Sequence, residues 1–161
     1  MLITSWQKRL HLPQNEELCV RLNDISLENV TSTKLLGVTL NHNMSWEEHI
    51  NTTVSKINRK LALLRRIKRY LPLETRKLFF NTHILPFMDY CSIVWGSSPH
   101  IKKIVLTQKR AARVILDIRD NCYPSKDMFL ALKWMPIVDR IEYRKGPLWS
   151  IKVLMIKVWS I

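Results

Sequence analysis

Residues Ser45–Leu71 read SWEEHINTTVSKINRKLALLRRIKRYL, and this stretch decides the fold because it is the longest periodic segment of the chain. Its apolar residues recur at steps of three and four, which places them within a narrow arc of a helix. They are Trp46, Ile50, Val54, Ile57, Leu61, Leu64, Ile67 and Leu71. Ser45 is a candidate N-cap, and Pro72 marks the end. Together these signals predict one amphipathic helix of about seven turns.

The face opposite the apolar stripe is cationic. Between Lys56 and Arg69 there are seven basic residues and no acidic one. They are Lys56, Arg59, Lys60, Arg65, Arg66, Lys68 and Arg69. Lys68 falls on the apolar side of the helix, near its end. A solvated face with cations near a helix C-terminus is the ordinary explanation of such a run, and it remains an alternative.

A second helix, predicted over His100–Leu116, repeats the pattern, with Ser98 as N-cap and Pro99 at its first position. Its apolar residues are Ile101, Ile104, Val105, Ala112 and Ile115. Its cations lie on the other side, within an arc of about 120°. Two outward basic faces suit contacts to a phosphate backbone. The predicted nucleic-acid-binding residues are Lys56, Arg59, Lys60, Arg65, Arg66, Arg69, Lys102, Lys103, Lys109, Arg110 and Arg113.

Composition supports this interpretation. The chain has 161 residues, 47% of them hydrophobic, and a formal net charge of +13. Residues 1–40 hold four basic and four acidic residues, whereas residues 41–161 hold 22 basic and nine acidic ones. The charge excess therefore lies in the helical part, where it favours a polyanion partner, with nucleic acid first and an anionic membrane second.

The cysteines and histidines predict no metal or disulfide chemistry. Cys19, Cys91 and Cys122 are odd in number and form no CxxC motif, so an intracellular location, nuclear or cytoplasmic, is expected. His42 and His49 have no ligand partners at suitable spacing, and each is interpreted as a surface or capping residue. No apolar run approaches the roughly 18 residues of a membrane span, so no transmembrane segment is predicted.

Short alternating segments precede the first long helix. Leu18–Leu22, Ile25–Val30 and Lys34–Leu40 are predicted as strands of an antiparallel meander. Helices are expected for the rest of the chain, since only three glycines are present and apolar periodicity is helical. The predicted fold class is α+β, with a small antiparallel β-meander at the N-terminus followed by a mainly helical bundle.

After Pro72, the sequence predicts a helix over Leu73–Thr82 and, beyond Pro86, a kinked helix over Phe87–Trp95. The stretch from Phe79 to Trp95 is apolar nearly all round, so it is expected to form the buried centre. Its apolar residues are Phe79, Phe80, Ile84, Phe87, Met88, Tyr90, Ile93, Val94 and Trp95. Helices over Lys126–Lys133 and Ile137–Arg144 are predicted to follow. The expected organisation is a sheet over residues 1–44, a basic helical bundle over 45–120 and a helical extension over 121–161.

Six short motifs, in order along the chain, resemble the C-terminal part of reverse transcriptases encoded by non-LTR, LINE-type, jockey-like retrotransposons. The motifs are LLGVTL (35–40), SWEEHI (45–50), LLRRIKRYLP (63–72), the run from Leu85-Pro86 through Asp89-Tyr90-Cys91-Ser92 to Val94-Trp95-Gly96, QKRAARVI (108–115) and LKWMPIVDRIEY (132–143). Each motif alone is weak, whereas six in the right order are specific. The resemblance covers residues 1–143.

The resemblance implies a thumb-like bundle that follows the palm and holds the template and primer backbone. In that family an aromatic-x-Asp-Asp turn and an upstream Asp bind two Mg²⁺ ions for nucleotidyl transfer. This sequence contains no adjacent aspartates, and the corresponding part of the family lies before Met1. The chain is therefore expected to be a fragment of an RNA-directed DNA polymerase, without catalytic residues or cofactor of its own and inactive alone.

The expected partner is the backbone of RNA, DNA or an RNA–DNA hybrid. The resemblance fades beyond Arg144, and GPLWSIKVLMIKVWSI (146–161) is expected to be a truncated or frameshifted tail. Its apolar content predicts self-association. The alternatives are a non-catalytic protein-interaction module, a membrane-surface protein that uses Leu148–Ile161, and a relic reading frame without selected function.

Overall fold

A computed structural model describes residues 21–22, 25–26, 30–118 and 123–146. Short antiparallel strands come first, and helices make up most of the described residues after them, which confirms the predicted α+β class. The chain divides into two compact units, Met1–His49 and Ile50–Ile161.

The strands of the first unit form two separate hairpins. Strand β1 (Arg21–Leu22) pairs antiparallel with β2 (Ile25–Ser26), and β3 (Ser32–Leu35) pairs antiparallel with β4 (Val38–Asn41). The two pairs are separate two-stranded sheets, where the sequence predicted one meander. The predicted strand start at residues 18–20 lies outside the described residues.

The predicted continuous strand over Lys34–Leu40 is wrong, because the chain reverses at Leu36–Gly37. Leu35 pairs with Val38 across this two-residue turn. Both turn residues have positive φ, 46° for Leu36 and 82° for Gly37, which is the signature of a type I′ turn that matches the twist of the flanking strands. Glycine adopts this positive φ without steric strain, so it allows the reversal. The apolar residues alternate on both sides of the turn, so the sequence pattern does not indicate it.

Helix α1 spans Glu47–Ile67 and continues as a 3₁₀ turn over Lys68–Tyr70. It begins one residue after the start that an N-cap at Ser45 predicts, and the Ser45 hydroxyl accepts the Glu47 N–H at 3.5 Å. The predicted stripe is confirmed at its centre, where four side chains are almost fully buried. These are Ile50, Ile57, Leu61 and Leu64.

Pro72 precedes α2 (Leu73–His83), as the sequence predicts. The next segment differs from the prediction of one helix over Phe87–Trp95, because it forms two short helices, α3 (Leu85–Asp89) and α4 (Ser92–Trp95). Cys91 separates them, with a φ of 49° in the left-handed region, which no α-helix continues through.

Only half of the predicted buried centre is buried. The buried side chains of this segment are Phe80, Ile84, Met88 and Trp95. Four others are exposed, namely Phe87, Tyr90, Ile93 and Val94. A segment that is apolar nearly all round cannot bury every side chain against one core, because neighbouring residues of a helix project about 100° apart.

Helix α5 (Lys102–Leu116) follows a 3₁₀ turn over Pro99–Ile101. The Ser98 hydroxyl accepts the His100 N–H at 3.3 Å, which confirms the predicted cap. Helix α6 spans Ser125–Leu132, and residues 137–146 are helical and are called α7 here.

Gln108 of α5 fixes the link between α6 and α7. Its side chain is 2% exposed, its amide nitrogen donates to the Met135 carbonyl at 3.0 Å, and its oxygen accepts the Ile137 N–H at 2.9 Å. Both ends of this buried amide are thus satisfied. Close packing continues at Gly96, where a side chain would meet the Ser92 carbonyl at 2.4 Å and Ile141 at 2.9 Å.

Asp89 joins α3 to α7. Arg140 donates to both carboxylate oxygens, with Nε–Oδ1 and Nη2–Oδ2 distances of 2.8 Å. Arg144 donates to the same Oδ2 at 2.9 Å and to the Asp89 carbonyl at 3.1 Å. The Asp89 side chain is only 16% exposed. The local sequence around Asp89 does not indicate these partners, because the two arginines lie 51 and 55 positions further along the chain.

We expect Asp89→Asn to lower the free energy of unfolding by about 2 kcal/mol, because it leaves two half-buried guanidinium groups without their shared charge. Urea denaturation followed by circular dichroism measures this. Glu142→Gln in α7 is the control, since the Glu142 carboxylate that pairs with Lys145 is 63% exposed and its loss changes stability by at most about 0.5 kcal/mol. Equal effects of the two substitutions would contradict the anchoring role of Asp89.

A second prediction concerns the β3–β4 turn. Leu36→Asn replaces an 82% exposed leucine with a residue that tolerates positive φ, so we expect it to stabilise the hairpin by about 1 kcal/mol. Gly37→Ala, at a φ of 82°, is expected to destabilise it by a similar amount. Hydrogen exchange of the β3 and β4 amides should slow in the first variant and accelerate in the second. Faster exchange in Leu36→Asn would refute the strain at this turn.

Candidate nucleic-acid interface

Helices α1 and α5 run side by side in the same direction. Near their starts, Lys103 Nζ donates to Asn51 Oδ1 at 2.7 Å. Beyond their ends, Lys68 forms an ion pair with Asp117. Contacts at both ends, in the same order along each helix, fix the parallel arrangement.

A shallow depression of about 330 Å³ lies between the C-terminal halves of these two helices. Its lining residues are Arg65, Lys68, Arg110, Arg113, Val114 and Ile118. Four of the six are cations, two from the α1 side and two from α5. The depression therefore combines charges that are far apart in the sequence.

Burial of the neighbouring stripes sets this arrangement. Leu64 is fully buried, and the adjacent Arg65 projects about 100° away around α1, toward the flank next to α5. On α5, Ala111 and Ala112 are fully buried, which leaves Arg110 and Arg113 on the outer side. Small side chains at these two positions let the helices that surround α5 approach closely.

One carboxylate borders the depression. Asp117 ends α5 in a left-handed conformation, with φ of 58°, and pairs with Lys68. The Asp117 side chain is 51% exposed and that of Lys68 is 28% exposed. The depression keeps a surplus of positive charge, since this carboxylate offsets one of four cations. An anion bound there would relieve the mutual repulsion of the cations.

Three of the predicted binding residues meet at the depression, namely Arg65, Arg110 and Arg113. Three further predicted residues, Lys56, Lys60 and Lys103, do not line the depression. Lys56 is separated from Arg65 by about 180° around α1, and Lys60 by about 140°, so both lie on the flank away from α5. Lys103 is held by Asn51.

The remaining predicted residues lie outside the lining of the depression. Arg59, Arg66, Arg69 and Lys102 are exposed, and Lys109 is half-buried. Arg66 on α1 and Arg69 in the 3₁₀ turn that follows are both exposed, so they add basic surface outside the depression. Lys109 lies about 100° around α5 from Arg110.

Sequence reasoning missed Lys68 as a site residue, because its helical position puts it on the apolar side. The change to a 3₁₀ turn at Lys68 alters the angular spacing there and brings its ammonium group to the depression. The pairing of Lys68 with Asp117 also has no signal in the local sequence, because the two residues are 49 positions apart. The available signal was the position of Lys68 four residues before Pro72, since a proline disturbs the helical spacing just before it.

The described residues meet the requirements of neither a metal site nor a membrane-spanning helix. In the described part of the chain, no three His, Cys, Asp or Glu side chains come together as a metal site. His49 is buried, where a surface or capping residue was expected, and its Nδ1 accepts the Thr39 N–H at 3.3 Å. None of the described helices combines the length and apolar content needed to cross a bilayer.

Comparisons with protein-family models, with curated proteins and with solved structures found no match.

The Lys68–Asp117 pair generates a prediction. We expect Asp117→Asn to tighten binding of a phosphodiester backbone about three- to tenfold, because it frees the Lys68 ammonium and removes a repulsive charge. Asparagine tolerates the left-handed conformation at this position, so the helix end is retained. Fluorescence anisotropy with a labelled duplex measures the change.

Asp127→Asn is the matched control, since Asp127 is an exposed carboxylate of α6 and its loss raises the net charge by the same amount. An equal gain in both variants would show that net charge alone governs binding. Unchanged or weaker binding by Asp117→Asn would contradict the position of Asp117 beside the ligand.

Proposed function

We propose that this chain binds the sugar-phosphate backbone of nucleic acid without reading its sequence. The observation that carries the proposal is the depression in which Arg65, Lys68, Arg110 and Arg113 converge. Phosphate groups are recognised by such cationic clusters, and three of the four are arginines, whose planar forks match phosphate oxygens in pairs.

The geometry favours backbone contact over base reading. The four cations lie in a shallow depression between two parallel helices, where their flexible side chains can reach phosphate groups at its surface. Contacts of this kind fix the position of a nucleic acid and carry no sequence information directly. Binding would then depend strongly on salt and hardly on sequence.

We further propose that the chain corresponds to the region after the palm of a non-LTR retrotransposon reverse transcriptase. Support comes from the six ordered motifs. Two of these motifs, LLRRIKRYLP (63–72) and QKRAARVI (108–115), supply all four cations of the depression. In this proposal the chain holds template and primer, while metal-dependent nucleotidyl transfer belongs to aspartates that this sequence does not contain.

Protein interaction is a second candidate function. Four apolar side chains on or beside α3 and α4 are exposed, namely Phe87, Tyr90, Ile93 and Val94. Contiguous exposed apolar residues are typical of contact sites between proteins. This surface and the depression are built from different helices, so the two functions are compatible.

The salt dependence of binding tests the proposal. With about five to eight phosphates neutralised, the slope of log K against log salt is expected to be about −4 to −7 for an RNA–DNA hybrid, with little dependence on sequence. Replacing Arg65, Arg110 and Arg113 by Gln should reduce the magnitude of the slope by about two to three and weaken binding at each salt concentration.

A matched control removes the same charge elsewhere. Replacing Lys56, Lys60 and Lys126 by Gln lowers the net charge equally and leaves the depression intact. We expect its slope to change by less than about one. Circular dichroism confirms that both variants are folded. If the two triple variants lose affinity equally, diffuse net charge explains binding and the depression is not the site.

A further inference from the structure

A second cavity, of about 290 Å³, lies on the other side of α5. Its walls come from α2, α3, α5, α6, the α6–α7 link and α7. Its lining includes two aromatic residues, Phe80 and Trp134, and three basic ones, Lys77, Lys133 and Arg140. This volume is at the lower end of the range for small-molecule sites, so it suits one compact ligand.

The inner wall of the cavity is aromatic. Phe80 is 1% exposed and stacks on Trp134 with ring centroids 3.9 Å apart and planes inclined by 23°. Phe129 supports Trp134 from the side, at a centroid distance of 6.4 Å. The indole of Trp134 is therefore held in place by two other rings, while Trp134 itself is only half-buried. A fixed, accessible aromatic ring favours a ligand that contains a planar ring.

The rim of the cavity is cationic. Lys77 is bonded to Glu74 at 2.9 Å, and Arg140 shares the single carboxylate of Asp89 with Arg144. These two groups leave one positive charge in excess, because Arg140 and Arg144 face one aspartate. Lys133 adds a second, since its exposed side chain makes no ion pair within the described part of the chain. The rim thus favours an anion.

The cavity and the basic depression are independent. Gln108, which lines the cavity, and Arg110, which lines the depression, are separated by about 160° around α5. Their side chains therefore project from opposite sides of that helix. Substitutions at the rim of the cavity leave the contacts of the depression unchanged.

We propose that this cavity binds a single nucleotide, with its base against Trp134 and its phosphate toward Lys133 and Arg140. A planar ring joined to an anionic group is the chemistry that an aromatic wall and a cationic rim recognise together. The choice of a nucleotide among such ligands rests on the proposed function. The nucleotide comes either as a free monophosphate or as an unpaired nucleotide at the end of a nucleic acid.

The location of the ligand can be tested by NMR on the full chain titrated with UMP and AMP. The indole Nε1–H signal of Trp134, identified by its loss in Trp134→Phe, is expected to shift through the ring current of the base. The Trp95 indole is the internal control, because it is fully buried and donates to the Tyr90 carbonyl at 2.9 Å. No shift of the Trp134 signal at millimolar nucleotide, or equal shifts of both signals, overturns the proposal.

Lys133→Asn tests the rim without threatening the fold. Lys133 ends α6 with φ of 56°, and asparagine accepts this left-handed conformation better than lysine does. We expect it to weaken UMP binding roughly tenfold, as loss of one charge-assisted contact implies. Lys126→Asn, at the exposed start of the same helix, should leave the affinity unchanged. Equal losses in both variants overturn the proposal.

A further comparison distinguishes free nucleotide from an unpaired terminal nucleotide, and it also distinguishes the cavity proposal from the backbone-binding proposal. A duplex with a one-nucleotide overhang is compared with the same duplex blunt-ended, in the native chain and in Lys133→Asn. Tighter binding of the overhang, lost in Lys133→Asn, assigns the cavity to an unpaired terminal nucleotide, whereas UMP binding with no overhang preference assigns it to free nucleotide. If the chain binds the blunt duplex but shows neither UMP binding nor a preference for the overhang, the cavity proposal is overturned and the backbone-binding proposal is retained.

Discussion

Burial of the α1 stripe is the constraint on which the basic surface depends. Ile57, Leu61 and Leu64 are almost inaccessible to solvent, and burying three such side chains contributes roughly 5–9 kcal/mol of transfer free energy. That stability fixes the rotation of the helix about its axis. Since successive residues are about 100° apart, the rotation also fixes where each cation points. Arg65 is brought toward α5, and Lys56 is turned away from it.

Two polar interactions then fix the far side of the helical unit. Gln108 binds the α6–α7 link through both ends of its amide, and Asp89 holds α7 through Arg140 and Arg144. Gln108 is buried and the Asp89 side chain is only 16% exposed, so leaving either without its partners costs more than breaking an exposed pair would. The aromatic cavity exists because these contacts position Trp134 and Arg140 around Phe80. It is therefore a product of side-chain chemistry as much as of helix packing.

Helix α5 connects the two proposed sites. One side of it carries Arg110 and Arg113 at the depression, and the other carries Gln108 at the cavity. Two of its buried residues, Ala111 and Ala112, are small, which leaves room for neighbouring helices to pack closely against it. In the proposed setting of a template-primer binding unit, one surface contacts a continuous backbone and the other accommodates a single nucleotide.

The sequence by itself determined the class of fold, the existence of the two amphipathic helices and the segregation of their charges, because helical periodicity is local and strong in Ser45–Leu71. It also located the cap at Ser98 and the stop at Pro72. Tertiary structure decided which cations meet, since Arg65 and Lys68 are far from Arg110 and Arg113 in the sequence. It selected the pairing of Lys68 with Asp117, which lies 49 positions further along the chain. It also decided the break at Cys91 and the partners of Asp89. A left-handed residue and a long-range ion pair leave no periodic signal, and only packing selects them.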